Sequence, residues 1–232
     1  MNLSKFSIIV PAFHERDRIN GLIEHARRLD SGNDVEIIVV DGAPEKDTLG
    51  AIHSNNVIKI SSEEGRARQM NAGASVASGE ILVFLHADTE LPPRALEKIG
   101  SLMERGDYVG GAFYLGIKSD KFIFKLIAIL SSLRSRLNKI PFGDQAIFIR
   151  REFFHKIGGY KEIPLMEDVE LMKRIKKSGN RIRILYDRVM TSPRRWEREG
   201  VIYCTLRNWM LQMLFSLGVS PYQLIRFYKS DH

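Results

Sequence analysis

The sequence predicts an α/β domain with a mostly parallel central sheet that is flanked by helices. Short apolar segments of strand length alternate with longer segments of helical periodicity through the first half of the chain. The strand segments are apolar throughout, which is typical of parallel strands that are covered on both faces. The chain has 232 residues, 44% of them hydrophobic, and so one domain can bury a substantial core.

The first half of the chain supplies most of the predicted sheet. Four apolar segments predict strands at residues 6–10, 35–41, 56–60 and 81–86. Helical spacing of apolar residues, or a proline at a helix start, predicts helices between and after them, at residues 15–29, 65–77 and 92–106. This alternation predicts a Rossmann-like arrangement of strands and crossover helices.

The second half is less regular. Residues 112–117 predict a strand, and residues 143–160 predict a turn, a strand, a short helix and a glycine turn. A helix is predicted within residues 163–179, where Gly179 is a suitable C-terminal stop. We expect further helices at the C-terminal end of the chain.

Polar residues follow three of the predicted strands. The first strand runs through Pro11 towards Glu15, the second ends at Asp41, and the fourth ends at His86 and Asp88. Ligands of open parallel sheets bind beyond the carboxyl ends of the strands, and so we expect these side chains to converge on one ligand. Asp41 is followed by glycine and is equally suited to a structural turn.

His86 and Asp88 predict a divalent metal site. Residues two apart on an extended segment share a face. Mg²⁺ binds few protein carboxylates together with phosphate oxygens and water, while an imidazole suits Mn²⁺ better than Mg²⁺. The alternative for His86 is that its side chain fills space or forms a hydrogen bond with a loop.

Glu167 and Asp168 lie at the start of the predicted helix within residues 163–179. Acidic residues are favoured in the first turn of a helix by the macrodipole, which is a sufficient structural explanation for one of them. Two adjacent acids after an apolar entry also suit a reactive site.

Charge and cysteine content narrow the class of partner. The net charge of +7 suggests an anionic partner, which could be a phosphate ligand, a nucleic acid or a membrane surface. The sequence shows no nucleic-acid-binding motif, and so we expect no nucleic-acid partner. The single cysteine, Cys204, excludes an internal disulfide framework and favours a reduced, cytoplasmic compartment. The first residues predict a strand rather than a signal peptide.

Two segments suggest contact with a membrane surface. Residues 121–139 contain five basic residues, no acids and a block of large apolar ones, a pattern that fits a helix lying in the interface of anionic lipid. Residues 201–219 carry a polar stripe on an otherwise apolar helix. Both segments are too polar to span a bilayer. The alternative is an ordinary core helix or a contact in a homo-oligomer.

Seven motifs together resemble the family 2 glycosyltransferases, which are inverting enzymes of the GT-A fold. They extend over roughly residues 6 to 200 in the order seen in that family: SIIVPAFHERDRI, EIIVVDG, GRARQMNAGA, ILVFLHADTELP, GDQAIFIRREFFHKIGGY, LMEDVELMKRI and RRW. The chain is most similar to a compact bacterial subgroup with a short, apolar C-terminal helix.

The resemblance implies a set of residues that bind the nucleotide-sugar donor. The residues that match the family's nucleotide-binding segments are Pro11, Ala12, Glu15, Asp41, Arg66 and Asn71. Asp88 matches the second acid of the D-x-D metal motif, and His86 replaces the first acid. The resemblance therefore implies a divalent metal, Mg²⁺ or Mn²⁺, whose identity the replacement leaves open.

The resemblance also implies the residues on the acceptor side. Asp168 matches the general base that deprotonates the acceptor hydroxyl, and Glu167 is its neighbour. Loop residues that match the acceptor and diphosphate side are Asp144, Gln145, Arg194, Arg195 and Trp196. The residues before the RRW motif differ from those of processive members, and so processivity is not implied.

The function predicted from these features is transfer of a sugar, with inversion, from a nucleotide-diphosphate sugar to an acceptor that is lipid-linked or a small molecule. We expect a glycosyltransferase domain at residues 1–200, with a nucleotide-binding half at 1–110 and an acceptor half at 111–200. Residues 201–232 would form a helical extension, packed on the domain or lying at the inner face of the plasma membrane. The alternatives are a nucleotidyltransferase, although the glycine-rich loop after the first strand is missing, and a non-catalytic module that binds nucleotides or anions.

Overall fold

The computed structural model describes residues 5–29 and 34–228, which form one eight-stranded sheet with helices on both faces. The strands are β1 (Phe6–Ala12), β2 (Val35–Asp41), β3 (Ile58–Ser61), β4 (Ile81–Phe84), β5 (Thr89–Glu90), β6 (Gly110–Ile117), β7 (Phe148–Arg150) and β8 (Ile182–Thr191). Their order across the sheet is β3-β2-β1-β4-β7-β6-β8-β5.

Ten α-helices connect and cover these strands in the described ranges. They are α1 (Ile19–Arg28), α2 (Asp47–Ala51), α3 (Arg66–Val76), α4 (Ala95–Glu104), α5 (Phe122–Asn138), α6 (Arg151–Lys156), α7 (Glu167–Lys177), α8 (Arg194–Glu199), α9 (Val201–Ser216) and α10 (Pro221–Leu224). Two short 3-10 turns lie at Gly143–Gln145 and Ile225–Phe227.

The sheet is mostly parallel, as predicted. Strand β1 pairs in parallel with both β2 and β4, β2 pairs in parallel with β3, and β6 pairs in parallel with β8. Strand β7 lies between β4 and β6 and is antiparallel to both. It therefore joins the first-half strands and the second-half strands into one continuous sheet.

Alternate residues of the central strands enter two cores on opposite faces of the sheet. Ile8 and Val10 of β1 belong to the core that includes residues of α1 and α4, whereas Ile9 belongs to the core that includes residues of α3 and α7. On the second face, a Cβ at Gly73 would lie 2.4 Å from the Ile9 side chain. Glycine therefore allows α3 to pack closely on β1, and this packing positions the N-terminus of α3 at the end of the sheet.

Strand β8 is the largest departure from prediction, because the sequence predicted no strand in residues 182–191. Its burial alternates irregularly because it carries exposed polar residues such as Arg183 and Arg188. Its pairing with β6 also shifts register between Phe113 and Tyr114. A half-exposed, irregular strand lacks the continuous apolar run by which the central strands were predicted.

The C-terminal segment packs against the start of α7. Leu211 of α9 and Leu224 of α10 join a small core with Leu165, Met166 and Val169. The predicted extension reaches residue 232, and its last four residues lie outside the described part. Among the described ranges, no helix has both the length and the apolar character needed to cross a membrane.

Candidate active site

Two adjoining cavities open at the carboxyl ends of the central strands. The first, the α3 cavity, has a volume of about 430 Å³ and is lined by the N-terminal turn of α3, residues 162–165 and the C-terminal Tyr222. The second, the α7 cavity, has a volume of about 160 Å³ and lies between the loop after β4, the turn at Gly143–Gln145, the start of α7 and α8. Both cavities share wall residues, among them Arg66, Glu167 and Arg195.

Most of the site residues predicted from the sequence line the α7 cavity. The nine that do so are Arg66, His86, Asp88, Asp144, Glu167, Asp168, Arg194, Arg195 and Trp196. They come from five segments that are distant in sequence. The fold therefore brings the predicted metal ligands and the predicted base to the same cavity.

Asp41 lies away from the walls of both cavities. Its side chain is fully buried, and its Oδ1 accepts a hydrogen bond from the backbone N–H of Ala43 at 2.9 Å. Its Oδ2 accepts from the backbone N–H groups of Thr48 at 3.0 Å and Leu49 at 3.2 Å. In the structure this carboxylate holds the loop after β2, and its predicted contact with a nucleotide base stays a prediction.

The other predicted residues off the cavity walls also have protein partners. Glu15 accepts a hydrogen bond from Nη2 of Arg194 at 3.1 Å and so contacts a wall residue. Asn71 exchanges two hydrogen bonds with the backbone of Tyr160, at 2.8 and 2.9 Å. Gln145 is fully buried and donates to the carbonyl of Phe113 at 2.8 Å. Residues 11–12 are buried within β1.

Asp168 occupies the first turn of α7. The helix follows Met166, whose φ of 66° turns the backbone sharply into the helix. Oδ2 of Asp168 accepts a hydrogen bond from the backbone N–H of Gly143 at 2.7 Å, and Oδ1 accepts from that of Val169 at 2.7 Å. Burial nevertheless raises the pKa of Asp168 above its usual value, against the opposing effect of these two hydrogen bonds. A positioned carboxylate of raised pKa is a suitable proton acceptor.

Two further carboxyl groups crowd Asp168. Glu167 is 8% exposed, and burial together with the charge of Asp168 raises its pKa to about 7. Burial and the charge of Asp168 likewise raise the pKa of Asp144 to about 6. Within the described part of the chain, Oδ1 of Asp144 has no hydrogen-bond partner. Such a concentration of perturbed carboxyl groups in a cavity is characteristic of functional sites.

His86 and Asp88 lie on the same cavity beyond the end of β4. Burial and the positive charge of Arg66 lower the pKa of His86 to about 4, and so its imidazole is neutral at pH 7. A Cβ at Gly143 would lie 2.9 Å from Nε2 of His86 and 3.6 Å from Oδ2 of Asp168. The glycine therefore permits the close approach of the imidazole, the turn and the predicted base.

Two hydroxyl groups hold the side chain of Asp88 in place. Its Oδ1 accepts hydrogen bonds from Oγ1 of Thr89 at 3.2 Å and of Thr191 at 3.5 Å. Nowhere in residues 5–29 or 34–228 do three or more His, Cys, Asp or Glu side chains form a group able to hold a metal ion. A neutral imidazole and one carboxylate on a shared wall fit a divalent cation whose remaining ligands are oxygens of a bound diphosphate.

Arginine side chains supply the positive charge of the site. Electrostatic interactions with Tyr228 and with the carboxylates of Glu167, Asp168 and Asp88 raise the pKa of Arg66. Arg195 donates a hydrogen bond to the Tyr228 hydroxyl, and its guanidinium carbon lies 4.1 Å from the centre of that ring. Both arginines line both cavities, an arrangement suited to an anionic group that extends from one cavity to the other.

Several residues of the site were not found from the sequence. Tyr228 and Asn208 line the α7 cavity through the packing of the C-terminal segment, and no motif marks either of them. Thr191, at the end of the unpredicted strand β8, supports Asp88. Gln69 on α3 donates to the carbonyl oxygens of Ala12 and Val40, at 2.6 and 2.9 Å, and so ties α3 to the ends of two strands.

Comparisons with known proteins agree with the resemblance found in the sequence. The chain is 28% identical over 180 residues to an uncharacterised glycosyltransferase of Haemophilus influenzae, an alignment that covers 73% of this chain and 61% of that protein. It is also 28% identical over 134 residues to a dolichol-phosphate mannosyltransferase of Pyrococcus furiosus, covering 53% of this chain and 38% of that protein.

A solved structure shares the fold. The mannosyltransferase PcManGT from Pyrobaculum calidifontis, in complex with GDP-Man and Mn²⁺, matches with a TM-score of 0.61 and 22% identity. The match covers 81% of this chain and 56% of the solved chain. The matches to this structure and to the two relatives therefore each cover less than two thirds of the other, longer protein. The structural match confirms the predicted GT-A fold class.

The family assignment rests on a match to a family model. A model of the family described as Glycosyl transferase family 2 matches residues 7–161, well over half of the chain. The matched range contains β2, Asp88 and the turn at Gly143–Gln145. The chain belongs to glycosyl transferase family 2.

Proposed function

We propose that this chain transfers a sugar from a nucleoside diphosphate donor to an acceptor hydroxyl, with inversion at the anomeric carbon. The observation that carries the proposal is the convergence of Asp168, Asp88 and His86 on the α7 cavity, beside arginines that line both cavities. The binding of GDP-Man and Mn²⁺ by the mannosyltransferase of similar fold supports a nucleotide-sugar donor.

Asp168 is the general base in this proposal. Its carboxylate accepts the proton of the acceptor hydroxyl while the hydroxyl oxygen attacks the anomeric carbon. The bond from that carbon to the diphosphate oxygen breaks with its electron pair, which leaves on the nucleoside diphosphate. The hydrogen bonds from Gly143 and Val169 keep the carboxylate in place during this step.

The leaving group is stabilised from the opposite side of the site. A divalent cation, Mn²⁺ or Mg²⁺, held by Asp88 and His86 would neutralise negative charge on the departing diphosphate. Arg66 and Arg195 donate hydrogen bonds to phosphate oxygens in this proposal, since they line both cavities. Glu15 orients Arg194 through their 3.1 Å hydrogen bond.

The two cavities divide the substrate between them. We place the nucleotide in the α3 cavity, with Asp41 and Asn71 shaping its surroundings, and the sugar and acceptor in the α7 cavity beside Asp144 and Trp196. Residues 1–110 then form the nucleotide-binding half, residues 111–200 the acceptor half, and residues 201–232 a C-terminal extension. The larger volume of the α3 cavity suits the larger part of the donor.

The acceptor in this proposal is lipid-linked and is presented at the inner face of the plasma membrane. Relatives of the chain include proteins named for dolichol phosphate and undecaprenyl phosphate, both of which are lipid carriers. The competing acceptor is a small soluble molecule. Parallel assays with a polyprenyl phosphate and with soluble sugar acceptors separate the two.

The experiment begins with ligand binding. Thermal unfolding is measured with each nucleoside diphosphate, alone and with Mn²⁺ or Mg²⁺, because a ligand of the native state raises the unfolding temperature. Asp88→Ala should lose the metal-dependent part of this increase, whereas the exposed Asp107→Ala should keep it. An unchanged metal dependence in Asp88→Ala would remove this residue from the metal site.

Turnover then tests the reaction itself. Incubation with nucleotide sugars should release the nucleoside diphosphate, and analysis of the product linkage should show an inverted anomeric centre. Release of pyrophosphate instead would identify a nucleotidyltransferase. Tight nucleotide binding without turnover of any donor would leave only a binding module and would refute the proposal.

A further inference from the structure

Helices α5 and α9 expose apolar stripes with the same helical spacing. On α5 the stripe consists of Phe122, Leu126, Ile129, Leu133 and Leu137, and on α9 of Ile202, Leu206, Trp209 and Met213. Their exposed fractions reach 77% at Phe122 and 71% at Ile202. Large apolar side chains that are grouped in this way on the exposed side of a helix indicate a site of interaction. We call the exposed sides of α5 and α9 the docking face.

The two stripes form one surface because the helices lie side by side. At the start of α5, Lys121 lies 3.7 Å from Glu197 of α8, the helix that leads into α9. Near the ends of both helices, Nη1 of Arg134 donates a hydrogen bond to Oε1 of Gln212 at 2.6 Å. Contacts at both ends place α5 and the α8–α9 segment alongside each other in the same direction.

The docking face is positively charged. Residues 121–139 and 200–228 contain seven basic residues and no acidic one, although the chain has 28 acidic residues in total. The exposed basic residues are Lys121, Lys125, Arg136 and Lys139, on α5 or directly beside it, and Arg226 in the turn after α10, whereas Arg207 of α9 is buried. Of the neighbouring acids, Glu197 is paired with Lys121, and Glu199 is buried beside Arg207.

The docking face also borders the active site. Asn208 of α9 lines the α7 cavity, while the next residue, Trp209, belongs to the exposed stripe. Tyr222 lines the α3 cavity and is itself 63% exposed, close in sequence to the exposed Phe227. A surface that covers the docking face would therefore lie next to both cavities.

We propose that the docking face binds the surface of an anionic lipid bilayer. Apolar side chains would enter the interface, and the exposed lysines and arginines would contact acidic headgroups. Pairing with a second copy of the same face would place two basic surfaces against each other, and so the charge favours lipid. The lipid binding itself does not depend on the proposed function. Its consequence does rest on that function: a lipid-linked acceptor would reach the α7 cavity from the membrane.

Vesicle flotation tests this binding. The purified chain should float with vesicles that contain phosphatidylglycerol at low salt, and much less with vesicles of phosphatidylcholine alone. Leu206→Glu combined with Met213→Glu places two charges on the exposed stripe and should weaken the binding at least about tenfold. The matched control, Ile58→Glu with Val76→Glu, alters two exposed apolar residues outside α5 and α9 and should bind as the parent does.

Tryptophan fluorescence supplies a second measurement. Trp209 lies on the docking face, whereas the other tryptophan, Trp196, packs against Phe124 with ring centres 6.2 Å apart. Anionic vesicles should shift the emission of the parent to shorter wavelength. Trp209→Phe should lose most of this shift while it still floats with the vesicles.

The outcomes separate this inference from the proposed function. Failure of the parent chain to bind anionic vesicles at low salt overturns the inference, and equal binding to neutral vesicles overturns its electrostatic part. A dimer that the Leu206→Glu, Met213→Glu variant converts to monomer, without lipid binding, would identify a second copy as the occupant. Thermal stabilisation by nucleoside diphosphate should be the same in parent and variant, and its absence in both would count against the proposed function alone.

Discussion

Asp41 is the last residue of strand β2 and Asp168 lies in the first turn of helix α7, and both accept hydrogen bonds from backbone N–H groups. Asp41 is fully buried and accepts three such bonds, at 2.9, 3.0 and 3.2 Å. Asp168 accepts two, from Gly143 and Val169, and lines a cavity that also contains Asp144 and Glu167. The surroundings of Asp168 raise its pKa.

The difference shows that position at the end of a strand or the start of a helix does not determine the role of an acid. A carboxylate whose oxygens are taken up by backbone donors away from any opening stabilises a loop. A carboxylate that is positioned by two donors beside other acids, and that keeps access to a cavity, is available for proton transfer. The comparison therefore predicts that the same substitution lowers turnover at Asp168 and stability at Asp41.

The largest expected effect is on turnover in Asp168→Asn. Loss of the general base should lower kcat by roughly 10²–10⁴-fold, because the amide cannot accept the hydroxyl proton. Thermal stabilisation by donor and metal should change little, since Asp168 acts on the acceptor. The matched control is Asp107→Asn at an exposed loop. Turnover close to that of the parent would exclude Asp168 as the base.

The second largest effect is on stability in Asp41→Asn. The new amide group must face a backbone N–H in a fully buried site, and so we expect the free energy of unfolding to fall by about 2–4 kcal/mol. Urea denaturation measures this change. The exposed Asp34→Asn should alter stability by less than about 0.5 kcal/mol. Normal stability combined with lost donor binding would instead support the predicted contact of Asp41 with the nucleotide base.

The sequence predicted the parts of the molecule that local patterns determine. Strand β2 has the predicted bounds, and α3 differs from its predicted range by one residue at each end. Strand β4 ends at Phe84, two residues before the prediction, so that His86 and Asp88 lie in a loop. The separation of Asp41 from the cavities could not be predicted, because it depends on which backbone donors the folded loop presents.

The same limit applies to the C-terminal side of the site. Tyr228 contacts Arg195 only because α9 and α10 pack on the start of α7. Such a contact between residues distant from any motif follows from tertiary packing, and no periodicity or spacing in the sequence indicates it. Trp196, by contrast, was found through the RRW motif and lines the α7 cavity.

A smaller effect is expected from Gly143→Ala, which keeps Asp41 and Asp168 and crowds the turn whose backbone N–H positions Asp168. The added methyl group would lie 2.9 Å from Nε2 of His86, and so the imidazole or the turn must move. Displacement of the Gly143 N–H from Asp168 should lower kcat about tenfold. Gly21→Ala is the matched control, because nothing lies within 4 Å of its added Cβ. Equal kcat in both variants would show that the turn does not position the base.

The smallest effect concerns the pH dependence of stability in Glu167→Gln. Since the folded-state pKa of Glu167 is about 7 and its ordinary value is 4.5, the folded state retains a proton between these pH values that the unfolded state has lost. The free energy of unfolding should therefore decrease as the pH rises through this window, and the full cost should be present above pH 7. Glutamine carries no charge, and so the variant should match the parent at pH 4 and exceed its stability at pH 8 by roughly 1–3 kcal/mol. Glu104→Gln, at the exposed end of α4, should leave the pH dependence unchanged.

A variant that is less stable than the parent at pH 8 would mean that the attraction between Glu167 and Arg66 outweighs the cost of burying the carboxylate. Glu167 would then resemble Asp41 in stabilising the fold, and the contrast would be confined to Asp168.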